Sequence, residues 1–256
     1  MEKAIIGGTG VYDIAEDVES RKIHTAYGDA DVDIVKINGE KIVFLARHGK
    51  GHSVPPHLIN YRANMKALKD LGVKYIYATA AVGSCNPNYT VGDVVIVNDF
   101  LDFTKSRPVT FFEGGERGVI HTDMSDPYCR NLRKLFYETA QEENLPIKGE
   151  AVYVCTEGPR FETATEIKMY QILSGDVVGM TNVPEVILAK ELGMCYCTIG
   201  IITNMCTGIE NNNLAKDNIK GKVGKVKSKV MNVCLKILQK QINQDNCFCN
   251  ESIIKL

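Results

Sequence analysis

Polar and charged side chains follow several apolar stretches of this sequence, at the points where the strands of an α/β sheet would end. Arg47 and His48 come directly after the apolar run Ile42–Ala46, and Thr9 lies in a glycine turn after the first such run. Two potential cations and a hydroxyl at such an edge are well placed to bind an anion, and the planar guanidinium group suits phosphate. Each signal has a plain alternative: a tight turn for Thr9 and a salt-bridged surface side chain for Arg47.

Two further segments carry groups that suit a flat polar ligand. Phe161 and Glu162 follow a Gly-Pro turn, where a ring can stack on the ligand and a carboxylate can accept its N–H bonds. The same segment fits a helix start, with Thr163 as the capping residue and Glu166 at the capping-box position, and the two interpretations are compatible. Asn204 ends another apolar run, and its amide can donate to and accept from a heterocycle, although such an Asn is more often a turn residue.

Small residues and a second helix start complete the candidate set. The segment from Ala78 to Ser84 consists mainly of small residues, which let a ligand lie against the backbone or simply allow close packing of a helix on the sheet. Thr181 stands just before a helix expected to begin at Pro184, where helix N-terminal amides attract an anion. Neither feature identifies a site alone. An anion site would form only where the fold brings these separate segments together.

The spacing of histidine and cysteine argues against a metal site. A Pro-Pro pair separates His48 and His52 from His57, so these residues lack the helical spacing that places two ligands on one face. The nine cysteines contain no Cys-x-x-Cys pair, and none stands near a His pair at zinc spacing. Cys247 and Cys249 could form a strained disulfide, but reduced thiols in the cytoplasm are the default expectation. The sequence therefore predicts no metal.

Alternating apolar runs and amphipathic segments predict an α/β protein, with a central mixed twisted sheet flanked by helices on both faces. No repeat or linker divides the chain, so residues 1–256 are expected to form one domain with a C-terminal helical segment. The predicted strands are 3–6, 32–37, 41–46, 74–81, 93–98, 151–156, 177–180 and 195–203. The predicted helices are 57–71, 127–144, 163–173, 184–192 and about 213–243.

Composition excludes several classes of protein. The 30 Lys and Arg residues face 31 Asp and Glu residues, and the resulting net charge of −1 argues against a nucleic-acid partner. No apolar run reaches the roughly 18 residues that a membrane span needs, and the first residues lack a signal-peptide pattern. We therefore expect a cytoplasmic protein without a membrane partner. An NAD-dependent oxidoreductase is disfavoured because the glycines after the first strand do not have the dinucleotide-binding spacing.

Together and in this order, the segments resemble the trimeric purine nucleoside phosphorylase and 5′-methylthioadenosine phosphorylase family. The match extends from Ile5 to at least Ile209, and it is most specific at 47–64, 157–161 and 180–193. The resemblance implies the nucleoside phosphorylase fold and a pentosyltransferase that uses phosphate to release the base and ribose 1-phosphate, or its 5-methylthio analogue. It also implies that phosphate is a co-substrate, that no cofactor is needed, and that the protein is a homotrimer or a hexamer built as a dimer of trimers.

The resemblance assigns a role to each candidate residue. The phosphate site would comprise Thr9, Arg47, His48, Ala80 and Thr181. The nucleoside would contact Ala81, Phe161, Glu162, Met180, Asn204, Leu214, Ile219 and, from a neighbouring subunit, His121. The residues implied to be catalytic are Asn204, Glu162 and His48. A non-catalytic nucleoside-binding protein on the same scaffold would be expected to lack the phosphate groups, and this chain retains them.

Two parts of the site point to different substrates. Glu162 and Asn204 match the 6-oxopurine pattern, whereas methylthioadenosine-specific relatives have Asp at the second position and no Glu at the first. No His follows His121, and Leu214 and Ile219 suit a methylthio group better than a 5′-hydroxyl. The combination predicts S-methyl-5′-thioinosine as the substrate. Inosine or guanosine is the alternative, and methylthioadenosine comes after these.

Overall fold

The core of the protein is a nine-stranded mixed sheet, seen in a computed structural model that describes residues 1–7, 17–51, 53–209, 219–245 and 247–256. The strands of this sheet are β1 (Lys3–Gly7), β2 (Asp17–Thr25), β3 (Gly28–Ile37), β4 (Glu40–Ala46), β5 (Tyr75–Ser84), β6 (Val94–Phe103), β8 (Gly149–Thr156), β9 (Val177–Gly179) and β10 (Cys195–Met205). A separate pair is formed by β7 (Ile120–Thr122) and β11 (Ile253–Lys255). The helices are α1 (Tyr61–Asp70), α2 (Arg130–Glu142), α3 (Ala164–Ile172), α4 (Asn182–Glu191) and α5 (Ile219–Leu238).

Part of the sheet closes on itself. The strand order is β10-β6-β8-β9-β5-β1-β4-β3-β2, and β10 also pairs with β5. Five strands (β5, β9, β8, β6 and β10) therefore form a closed ring, and the other four extend from it as an open sheet. Within this sheet β1, β4, β5 and β10 run parallel to one another, so their carboxyl ends meet at one edge, where ligands bind in many α/β proteins.

Helices cover both faces of the sheet, which confirms the predicted fold class. Met65 of α1 and Val186 of α4 belong to the core on one face, and Phe136 of α2 and Val230 of α5 belong to the core on the other. β10 is buried along almost its whole length, which explains the nearly continuous apolar run in its sequence. That residues 1–256 form a single domain stays a prediction.

Helix α1 begins four residues later than the pattern predicts. Asn60 caps it, because its side-chain oxygen accepts from the N–H of Ala63 at 3.1 Å. The Pro-Pro pair before it gives only a 3-10 turn over residues 56–58. The helix ends at Asp70, one residue before the predicted end, and the predicted stop at Gly72 is confirmed by its φ of +83°.

The bounds of α4 and α5 also differ from the predictions. α4 begins at Asn182, before the predicted start at Pro184, and the extended backbone of Val183 kinks its first turn. α5 ends at Leu238 rather than near residue 243, and its predicted start near residue 213 lies outside the described residues. No helix among the residues that the structure describes is long and apolar enough to span a membrane.

Three strands (β2, β7 and β11) are not predicted by the sequence pattern. β2 pairs with β3 at the edge of the sheet, and most of its side chains are exposed. Such charged edge strands avoid pairing with other chains, but they lack the apolar alternation that reveals a strand. β7 and β11 have only three residues each, too few for a pattern.

Candidate active site

A cavity of about 570 Å³ opens where the parallel strands end, and its size is typical of small-molecule sites. Nine of the residues predicted from the sequence line it: Arg47, His48, Ala80, Ala81, Phe161, Glu162, Met180, Thr181 and Asn204. These residues come from five separate segments of the chain. The fold therefore brings together groups that were each ambiguous when taken alone.

Four predicted residues are not placed in this cavity. Thr9 and Leu214 lie outside the described residues. Ile219 begins α5, but its side chain also lies outside the described part of the chain. His121 is exposed on β7 and is not among the described residues that line the cavity. Its contribution to a neighbouring subunit stays a prediction.

Arg47 is the best-anchored side chain of the cavity. Its Nε and Nη2 atoms donate to the two carboxylate oxygens of Glu185 at 2.8 and 2.7 Å, and Nη1 donates to the carbonyl oxygen of Thr79 at 3.1 Å. Burial acts to lower the pKa of Arg47, but the charge and hydrogen bonds of Glu185 outweigh it and raise the pKa. These contacts use three of the five guanidinium N–H groups, so two remain for an anion as far as the described residues show.

A buried polar network holds Glu185 in place. Tyr196 donates to its Oε1 atom at 2.6 Å, and burial, followed by the charge of Glu185, raises the pKa of Tyr196, so the phenol keeps its proton. Asn182 accepts from Thr198 at 2.9 Å and lies 3.0 Å from the same phenol oxygen. Because both members of the ion pair are buried, removing Arg47 alone would cost about 3–5 kcal/mol. The position of this cation is therefore coupled to the stability of the fold.

Thr181 and His48 are held by neighbouring groups of the scaffold. The N–H of Thr181, just before α4, lies 3.4 Å from the phenol oxygen of Tyr153. The Nδ1 atom of His48 lies 2.9 Å from the carbonyl oxygen of Val54. Since a carbonyl oxygen only accepts, this contact places a proton on Nδ1. Both side chains thus reach the cavity from fixed backbone positions at strand ends.

The loop between β8 and α3 forms another wall of the cavity. Glu162 is buried, and its Oε1 atom accepts from the hydroxyl of Thr156 at 2.7 Å. Its other oxygen accepts from no residue in the described ranges and is available to a ligand. Phe161 beside it is 60% exposed. The capping box of Thr163 and Glu166 is present, which confirms that prediction and fixes the end of the loop.

A β-bulge in β10 turns Asn204 towards the cavity. Ile202 pairs with Val82 and Asn204 pairs with Gly83, so Thr203 is an extra residue in the strand. Side chains alternate between the two faces of a strand, and one extra residue therefore lets both Thr203 and Asn204 line the cavity. The hydroxyl of Thr203 donates to Asn204 Oδ1 at 3.0 Å, which orients the amide group.

Two glycines allow the close packing of this site. A Cβ atom on Gly83 would lie 3.0 Å from Asn204 Nδ2 and 2.8 Å from the sulfur of Cys206. Gly158 has a φ of +67°, and a Cβ atom there would lie 2.6 Å from the sulfur of Met180. A larger residue at either position would displace a side chain that lines the cavity.

Arg107 is an organising residue that sequence analysis missed. Its buried guanidinium group donates to four backbone carbonyl groups, those of Thr156 and Glu157 at the end of β8 and those of Met180 and Val183 between β9 and the first turn of α4. It thereby links the loop of Glu162 to the segment of Met180. Its sequence context, Ser-Arg-Pro, is typical of a surface loop and carries no signal of burial. Glu185 was also missed, because an acidic residue in the first turn of a helix is commonplace.

Helix α5 supplies a wall of the cavity as well as covering the sheet. Gly224, Lys227, Ser228 and Met231 line the cavity from this helix. Met231 is apolar, whereas Lys227 and Ser228 carry polar groups. This wall is therefore mixed in character.

Comparisons with known proteins agree with this geometry. Residues 2–239 match the Phosphorylase superfamily. A probable 6-oxopurine nucleoside phosphorylase of Moorella thermoacetica is 48% identical over 252 residues, which cover 98% of this chain and 97% of that protein. A probable S-methyl-5′-thioinosine phosphorylase of Methanocaldococcus jannaschii is 45% identical over 249 residues, which cover 97% of this chain and 96% of that protein.

A solved structure of a nucleoside phosphorylase is also similar to this chain. A methylthioadenosine phosphorylase from an Antarctic soil metagenomic library superposes with a TM-score of 0.89 at 33% identity, covering 98% of this chain and 90% of that one. The resemblance found in the sequence is thereby confirmed. The chain belongs to the phosphorylase superfamily and is a nucleoside phosphorylase, which makes it a pentosyltransferase.

Proposed function

We propose that this enzyme cleaves 6-oxopurine nucleosides by phosphorolysis, and that it converts S-methyl-5′-thioinosine and phosphate to hypoxanthine and 5-methylthioribose 1-phosphate. One observation carries the choice of base: Glu162 and Asn204 line the same cavity. The carboxylate can accept from N1–H of a 6-oxopurine, and the amide can donate to O6 or N7. The names of the relatives from Moorella and Methanocaldococcus, which both describe 6-oxopurine substrates, support the proposal.

In this mechanism the glycosidic bond breaks largely before phosphate attacks, so the sugar gains oxocarbenium character and the purine leaves as an anion. Arg47 holds the phosphate with its remaining N–H groups, and Met180 lies under the ribose. Positioning the reactants can lower such a barrier by about 7–11 kcal/mol in favourable cases. Asn204 stabilises the purine where its negative charge develops. The proposed phosphate ligands are Thr9, Arg47, His48, Ala80 and Thr181.

Glu162 is the proposed source of discrimination against adenine. The N1 atom of adenine carries no proton, so it would face the carboxylate as a second acceptor. Leaving such buried groups unpaired costs about 1–3 kcal/mol. The hydroxyl of Thr156 holds one carboxylate oxygen, which leaves the other to test the base.

A second candidate is an ordinary inosine or guanosine phosphorylase. The polar groups of Lys227 and Ser228 in the cavity wall favour it, because they suit a 5′-hydroxyl better than a methylthio group. The base would be recognised by Glu162 and Asn204 in the same way. The two candidates share the 6-oxo group of the base and differ in the 5′ substituent, and guanosine also carries a 2-amino group.

The proposal includes a homotrimer, or a hexamer made of two trimers, in which His121 reaches the sugar pocket of a neighbouring subunit. The exposed position of His121 on β7, away from the cavity of its own chain, supports this arrangement. No cofactor takes part in the proposed reaction, since phosphate is the co-substrate. The cytoplasmic location stays a prediction.

The test is the release of base from four substrates, each with and without phosphate: methylthioinosine, inosine, guanosine and methylthioadenosine. The highest kcat/KM is expected for methylthioinosine, with no release when phosphate is absent. A preference for inosine or guanosine would keep the base assignment and favour the second candidate. A preference for methylthioadenosine would contradict the roles of Glu162 and Asn204.

A further inference from the structure

Four buried cysteines converge at a point where three distant parts of the chain meet. This four-cysteine cluster consists of Cys129, Cys195, Cys247 and Cys249, whose sulfur atoms all lie within 4.8 Å of one another. Cys129 precedes α2, Cys195 begins β10, and the other two follow α5. The cluster thus connects the C-terminal segment to the body of the fold.

The dimensions of the cluster suit a tetrahedral metal ion. The sulfur atoms of Cys195 and Cys247 are 3.5 Å apart. A zinc ion with four thiolates at about 2.3 Å separates their sulfur atoms by about 3.8 Å. Cys247 and Cys249 are both buried, whereas Phe248 between them is 63% exposed. Small side-chain movements would therefore complete the coordination sphere.

The surroundings of the cluster also suit thiolates. The side-chain amide of Gln244 donates to the sulfur of Cys195 at 3.3 Å. Lys190 is only 4% exposed and lies close enough to Cys249 to interact with it electrostatically. Hydrogen bonds to the ligand atoms are common around protein metal ions, and a buried ammonium group offsets the negative charge of a metal tetrathiolate.

We propose that the four-cysteine cluster is a structural zinc site. The four thiols release their protons and form four bonds to one Zn²⁺ ion, without any change of oxidation state. Four protein ligands leave no open position, so the ion takes no part in phosphorolysis. The sequence predicts no metal because the ligands come from three separate segments and include no Cys-x-x-Cys pair.

The proposed site has a consequence for the C-terminal strand. Ser252 donates to the carbonyl groups of Lys190 and Cys249, and the next residues form β11, which pairs with β7. In that pair Ile254 lies opposite His121. The zinc ion would therefore hold the strand that supports His121, a consequence that rests on the proposed function, whereas the metal site itself does not.

Metal content tests the site without reference to activity. The full-length protein is purified under reducing conditions, incubated with zinc sulfate and exchanged into metal-free buffer. We expect one zinc ion per chain, and Co²⁺ in its place should show the absorption of a tetrahedral cobalt thiolate. Cys249→Ala should weaken zinc binding at least about tenfold. The matched control is Cys234→Ala, a buried cysteine of α5 outside the cluster, which should leave zinc binding unchanged.

A thiol count separates zinc from disulfides. With a chelator and denaturant present, the wild-type chain should titrate as nine thiols. Two disulfides within the cluster would lower this count by four and would overturn the proposal. A full count without bound zinc, or bound iron instead of zinc, would overturn it as well. These measurements on the wild-type protein decide whether the cluster binds zinc, even if Cys249→Ala does not fold.

Discussion

The proposed phosphate side and the proposed base side of the cavity are built in different ways. On the phosphate side, Arg47 is locked by Glu185, which Tyr196 holds in a buried network. On the base side, Glu162 has one hydrogen bond from a neighbouring hydroxyl, and Phe161 is largely exposed. Phosphate is the same in every turnover, whereas the base is what related enzymes distinguish. If these residues have their proposed roles, the shared phosphate is bound by groups on which the fold depends, and the variable base by groups that can change.

Arg47→Ala should have the largest effect, because it removes a proposed phosphate ligand and leaves Glu185 buried without its partner. We expect the free energy of unfolding to fall by about 3–5 kcal/mol. The melting temperature should fall by about 6–20 °C. The phosphate concentration needed for half-maximal rate should rise sharply. Thermal denaturation and phosphate saturation curves measure the two effects.

Two variants separate stability from phosphate binding. Arg21 makes a bidentate pair with Glu19 on the surface, at 2.6 and 3.0 Å, and Arg21→Ala should leave both measurements unchanged. The double variant Arg47→Met with Glu185→Leu should recover stability but not phosphate saturation. If Arg47→Ala shows the phosphate saturation of the wild type, Arg47 is not a phosphate ligand. The contrast between the two sides of the cavity would then fail.

Asn204→Asp should change the choice of base with little change in phosphate binding. The amide now donates to the carbonyl oxygen of Met205 at 3.1 Å, and a carboxylate there must rotate or take up a proton. An acceptor facing the purine would favour 6-aminopurine nucleosides, so the ratio of kcat/KM values should shift by about 10- to 150-fold. Asn88→Asp, a change at an exposed loop residue, is the control. An unchanged ratio would refute the assignment of Asn204.

Thr156→Val should have a smaller effect, confined to the base. It removes the hydroxyl that donates to Glu162 and keeps the shape of the side chain. We expect a loss of about 1.5 kcal/mol, roughly tenfold in kcat/KM for 6-oxopurine nucleosides. Thr156→Ser should restore most of the rate. A change in the phosphate KM of Thr156→Val would show that the two sides are not independent.

Thr163→Ala should have the smallest effect. It removes the capping box at the start of α3, next to Glu162, which should cost about 1 kcal/mol of stability. The expected fall in melting temperature is about 2–4 °C. Thr163→Ser should behave as the wild type. A stability loss as large as that of Arg47→Ala would contradict the view that the base side is dispensable for folding.

The candidate site was predictable where a residue's type and its place at a strand end limit its chemistry. Arg47 and Asn204 satisfy that condition, and both line the cavity. The partners of Arg47 were not predictable, because the contact with Glu185 joins residues 138 positions apart and depends on how α4 packs. The bulge at Thr203 was hidden for a similar reason, since a continuous apolar run does not show where the pairing register shifts.

The elements of the fold also differ in how far the sequence predicts them. Buried strands such as β5 and β10 are recognisable in the sequence as apolar runs, whereas the exposed edge strand β2 is not. The four-cysteine cluster shows the limit of spacing rules most plainly. Its members come from three segments far apart along the chain, and only the packing of the C-terminal segment brings Cys247 and Cys249 to Cys195.

The length of β10 constrains how this enzyme can evolve. Within eleven residues the strand carries Cys195 at its start, Tyr196 in the network beneath Arg47, and Asn204 after the bulge. Loss of the single codon for Thr203 would cancel the bulge and leave Asn204 opposite Gly83, but it would remove the hydroxyl that orients the Asn204 amide, although the gene would still encode every other residue of the site. If Asn204 selects the base as proposed, substrate range can change by substitution at position 204, whereas a one-residue insertion or deletion between Cys197 and Ile202 would change the faces on which Tyr196 and Asn204 lie relative to one another.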